Sequence, residues 1–87
     1  MKTMVINVDK QWRLEGSAGY WELSRWEGAV AGLVGIMELD ERQDKDQQWI
    51  VCPSFSGGGF FRCGKRSQAV HQLIQLYDQR DAQPRHS

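Results

Sequence analysis

Gly57-Gly58-Gly59-Phe60-Phe61-Arg62-Cys63-Gly64-Lys65-Arg66-Ser67 is the stretch on which the fold turns. Gly59, four residues, Gly64 and Lys65 match the opening of the phosphate-binding pattern G-x-x-x-x-G-K-[ST]. A true match would demand a parallel sheet with crossover helices. The next position holds Arg66, however, and the hydroxyl arrives one place late, at Ser67. That hydroxyl must sit at one angle of the first helical turn to hold magnesium. Phe60, Phe61, Arg62 and Cys63 are also wrong for a loop whose backbone wraps phosphates closely. The stretch therefore reads as a turn, a short strand and a helix entrance, not as a nucleotide site.

Downstream of it, Ser67 is an N-cap candidate, because its hydroxyl can accept from a free N–H of the first turn. Gln68 to Gln79 is the clearest helix. Ala69, Val70, Leu73, Ile74, Leu76 and Tyr77 fall on one face, and Gln68, His71, Gln72, Gln75 and Gln79 cover the other. Arg80 to Ser87 is polar and contains Pro84. The expectation is one domain over residues 1–80 and a flexible tail over 81–87.

Upstream, the period changes to two. Met4, Ile6 and Val8 alternate with Val5, Asn7 and Asp9, and Trp12 and Leu14 alternate with Arg13 and Glu15. Gly16-Ser17-Ala18-Gly19 supplies turn chemistry, so Trp12/Leu14 and Trp21/Leu23 pair across a hairpin. Ala29 to Leu39 reads as a strand, with a short buried helix as the competitor. Gly28, Gly32 and Gly35 would each cost a helix about 1 kcal/mol, whereas Val30, Val34 and Ile36 favour a strand bent or bulged at glycine. Glu38 to Gln48 is a solvated loop. Trp49 to Cys52 is a strand closed by Pro53, and Phe60 to Cys63 adds a short one. The fold class is α+β: an antiparallel meander of about four to six strands with one C-terminal helix packed on one face.

Composition bounds the function. A chain of 87 residues makes one small domain, whose core four tryptophans, three phenylalanines and two tyrosines enlarge. Eleven acidic side chains balance eleven basic ones, which counts against a dedicated nucleic-acid binder, since each phosphate contact needs a cation. No export signal opens the sequence, and Gly28 to Met37 falls well short of the roughly 20 apolar residues of a membrane span. The expected location is cytoplasmic, with Cys52 and Cys63 as free buried thiols. Cys52, Cys63, His71 and His86 lack the close pairing of a structural zinc site, so neither metal nor cofactor is expected. Cys63 beside Arg62 and Lys65 has the cations that lower a thiol pKa, but no third group orients it with His71 as a nucleophile. An enzyme is not expected.

Two groups of residues remain as binding candidates. Trp12, Tyr20, Trp21, Trp26 and Trp49 exceed what so small a core needs, and Tyr20 and Trp21 cannot both face the helix from one strand. Tyr20, Trp21 and Trp26, with the acids Asp40, Glu41 and Asp44 of the loop, are the candidates for a protein partner. Residues 38–46 carry five acids against two bases, a net of −3. Arg62, Lys65 and Arg66, a net of +3 before the helix, are the candidates for an anion or a nucleic acid. Their plain alternatives are core aromatics, a solubilising loop and a solvated helix entrance. The favoured function is a non-enzymatic interaction protein with a protein partner, a homodimer being compatible with it; the alternative is a nucleic-acid-binding module. In size and order of elements the chain resembles small inhibitors encoded by mobile genetic elements, anti-CRISPR proteins among them, which would imply an inhibitor encoded by a phage or a similar element.

Overall fold

The alternating N-terminal half becomes an antiparallel meander. A computed structural model describes residues 3–55 and 59–82. The strands are β1 (Met4–Asn7), β2 (Trp12–Ser17), β3 (Tyr20–Glu27), β4 (Val30–Leu39), β5 (Trp49–Pro53) and β6 (Phe61–Cys63), followed by α1 (Arg66–Ala82). Each strand pairs with its sequence neighbour, in the spatial order β1-β2-β3-β4-β5-β6. Such a meander needs only short connections, and β2 joins β3 through Ala18 and Gly19 alone. Gly16 and Ser17, expected in that turn, belong to β2.

Side-chain parity then sorts the sheet into two faces. Trp12, Leu14, Trp21, Leu23, Met37, Val51 and Cys63 point to one side and are buried against Ala69, Val70 and Leu73 of α1. Residues 30–39 are strand, as the β-branched residues require, and the strand is bulged. Leu23 pairs with Gly35 and Ser24 with Leu33, which leaves Val34 as the extra residue, buried at 2% exposure. Gly35 seats the helix: a Cβ there would lie 2.9 and 3.0 Å from the two methyls of Leu73.

The helix begins earlier than its composition implies. Arg66 is its first residue, and the N–H of Ala69 donates to the carbonyl of Lys65 at 3.1 Å, so Lys65 and not Ser67 holds the capping position. Tertiary packing sets this start. A Cβ on Gly64 would come within 2.9 Å of both the Lys45 carbonyl and Asp46 Cα, so the chain turns where the β4–β5 loop lies against it. The helix also continues to Ala82, two residues beyond the expected domain end at 80. Residues 83–87 of the expected tail, and Gly57 and Gly58 of the expected turn, lie outside the described residues. Among the described residues no helix is long and apolar enough to cross a membrane.

Candidate interaction face

The sheet face opposite α1 carries the other parity. Register aligns Val5, Glu15, Glu22, Ile36 and Cys52 in one cross-strand row, and Ser17, Tyr20, Glu38, Ile50 and Arg62 in the next. Glu15 and Glu22 thus stand directly opposite one another, an arrangement that destabilises a sheet. Among the described residues no ion pair reaches Glu15, Glu22 or Glu38. Tyr20 rises between them, 41% exposed, its hydroxyl donating to Glu22 Oε2 at 3.2 Å. Burial, then the bond to Glu22 and the negative charges of Glu22 and Glu38, push the phenol above its ordinary pKa. These three glutamates were missed in the sequence because they lie on three different strands. Alternation did put Glu15 on the outward side; only the pairing register makes it a neighbour of Glu22.

At another corner of this face, Arg13 lies over the indole of Trp26, 4.2 Å from its centroid. Trp26 is half-buried, and its Nε1 and the Arg13 Nε are both buried without a hydrogen-bond partner. Trp26 keeps its place on the open face, with one side of its ring occupied by Arg13. Leu33 and Val5 add exposed apolar area at 49% and 51%.

Several candidates have other roles. Trp21 is a core residue, 2% exposed, because parity turns it towards the helix; its Nε1 donates to the Ala18 carbonyl at 3.0 Å. Arg66 stacks on that same ring at 4.4 Å, so a partner-binding candidate and an anion-binding candidate are occupied by each other. Trp12 is also core, and Trp49 is half-buried against the edge of the core cluster. Arg62 points to the opposite sheet face and donates to the Gln47 carbonyl at 3.4 Å. Lys65 is exposed. The three cations therefore do not converge, and the groove of about 600 Å³ beside Arg62 also holds Asp46, which repels an anion. The run that resembled a phosphate loop is strand at residues 61–63.

In the β4–β5 loop, Asp40 closes the chain on itself. Its Oδ1 accepts from the Arg42 Nε at 3.1 Å and the Arg42 N–H at 3.2 Å, and its own N–H donates to the Gln48 carbonyl at 2.6 Å. Glu41 and Asp44 are exposed. The Arg42 side chain, then its backbone N–H, holds the Asp40 carboxyl below its usual pKa. A depressed pKa contributes stability that is present above the unfolded value of about 3.9 and is lost as pH falls through the folded one. The melting-temperature gap between wild type and Asp40→Asn is therefore expected at pH 6 and should shrink below about pH 4. A gap independent of pH would show that the carboxylate charge is not what closes the loop.

The thiols lie on opposite faces and both are free; Cys63 is buried as expected, whereas Cys52, on the face away from the helix, is only half-buried. Burial raises the Cys63 pKa, outweighing the lowering by the Lys65 backbone, so the lowering expected from its cationic neighbours is not found. Among the described residues no three His, Cys, Asp or Glu side chains come together as a metal site.

Family models, curated proteins and solved structures return no match to this chain.

Proposed function

We propose that the chain is a non-enzymatic interaction module that binds another protein through the sheet face opposite α1, and that the partner presents basic groups there. The observation that carries the reading is the set Glu15, Glu22 and Glu38 around the exposed Tyr20, which no ion pair reaches among the described residues. A repulsive cross-strand pair does nothing for the isolated sheet, but a cation brought by a partner would relieve it. Tyr20 supplies a rigid amphipathic anchor beside the acids, and Trp26 a second one. Glu41 and Asp44 add long-range attraction for the same partner. Cytoplasmic residence, and the narrower role of an inhibitor from a phage or other mobile element, belong to this proposal; for the narrower role the support is size and element order.

Glu15→Lys tests it sharply. The new lysine faces Glu22, so stability is expected to hold or rise by a few tenths of a kcal/mol. Quantitative affinity capture should nevertheless lose the partner by at least about tenfold. Retention of the partner at wild-type affinity by the folded variant would overturn the reading. Micromolar, salt-steep binding of short DNA or RNA, lost in Arg62→Glu/Lys65→Glu, would favour the nucleic-acid alternative instead.

A further inference from the structure

The two edges of the sheet differ. The β6 edge is three residues long and carries Arg62, the short, charged form that blocks edge-to-edge pairing. The β1 edge has the sequence Met4-Val5-Ile6-Asn7, with no charge and no proline. Met4 is 56%, Val5 51% and Val8 40% exposed. Behind this edge a groove of about 350 Å³ runs between β1, β2 and α1, with Ile6, Val8, Leu14, Val70 and Ile74 in its walls. The Val8 N–H donates to the Trp12 carbonyl at 3.0 Å; alternation along the same register turns the backbone groups of Val5 and Asn7 outward, away from β2.

We propose that two copies of this chain associate by antiparallel pairing of β1 with β1, about a two-fold axis at Ile6. In this register Val5 of one copy exchanges backbone hydrogen bonds with Asn7 of the other. On the helix side Ile6 meets its own copy and Met4 meets Val8, so apolar groups face apolar groups and the two grooves join. A second copy is the occupant that fits because this strand is complementary to itself in that register. A net charge of zero also removes long-range repulsion between copies. The dimer extends the six-stranded sheet across the axis and does not depend on the sheet-face function proposed above. An edge of four residues is small beside the roughly 800 Å² per partner of a standard interface, so weak association is expected, with dissociation in the micromolar range.

Sedimentation equilibrium of the full chain from about 1 to 200 µM covers that range. The expected result is the mass of one chain at the low end and of two at the high end, with amide exchange at Val5 and Asn7 slowing as concentration rises. Val5→Lys, at an exposed position, should keep the fold by circular dichroism and remain single at every concentration. Arg62→Glu on the other edge should dimerise as the wild type does. A single-chain mass throughout, a dimer that survives Val5→Lys, or one lost in folded Arg62→Glu would each overturn the proposal.

Discussion

Trp21→Ala is expected to lower the melting temperature by more than about 12 °C, as loss of a core residue and not of a binding surface. A buried tryptophan truncated to alanine costs about 3–5 kcal/mol, and each kcal/mol moves the midpoint of so small a domain by about 4–8 °C. Trp21 is 2% exposed at the centre of the packed face. The change also removes the ring under the Arg66 guanidinium and the indole donor to the Ala18 carbonyl, which braces the β2–β3 turn. Tyr20→Ala, its neighbour in sequence on the opposite face, should shift the midpoint far less. Equal shifts from the two variants would refute the assignment of faces.

Leu73→Ala is the second large effect, at about 2–5 kcal/mol. Leu73 is fully buried and its methyls occupy the space that a side chain at position 35 would need. Gly35→Ala alone should therefore destabilise by overpacking, typically about 1–3 kcal/mol. Combined with Leu73→Ala, the added methyl enters the vacated space, and the double variant should be less damaged than the two single changes added together. Strict additivity in thermal or denaturant melts would show that the helix does not cross β4 at Gly35.

The α+β class, the meander and the C-terminal helix were legible because each rests on local periodicity: two in the strands, 3.6 in the helix. The start of the helix was not. Ser67 is the better capping residue by chemistry, but the close approach of Lys45 and Asp46 to Gly64 fixes the turn, and that contact spans nearly twenty residues of sequence. The candidate site divides in the same way. Tyr20 on the open face and Trp21 on the covered one follow from parity once the helix-facing side is known. Asp40 looked like one acid of a solvated loop because its bonds to Arg42 and Gln48 depend on the loop's closed shape. Arg62, Lys65 and Arg66 are adjacent along the chain, yet a strand-to-helix turn sends Arg62 and Arg66 to different sides of the sheet. Glu15, Glu22 and Glu38 make the converse case, distant in sequence and brought together by register alone.

Carboxylate footprinting of the captured complex is the most direct test of that acidic face. Carbodiimide coupling of a small amine marks accessible carboxyl groups, and each site is read by mass spectrometry with and without the partner bound. Bound partner should protect Glu15, Glu22 and Glu38 by several-fold, while Glu41 and Asp44, which attract without touching, keep their labelling. Protection confined to Glu41 and Asp44, with the three sheet glutamates labelled as in the free protein, would contradict the account.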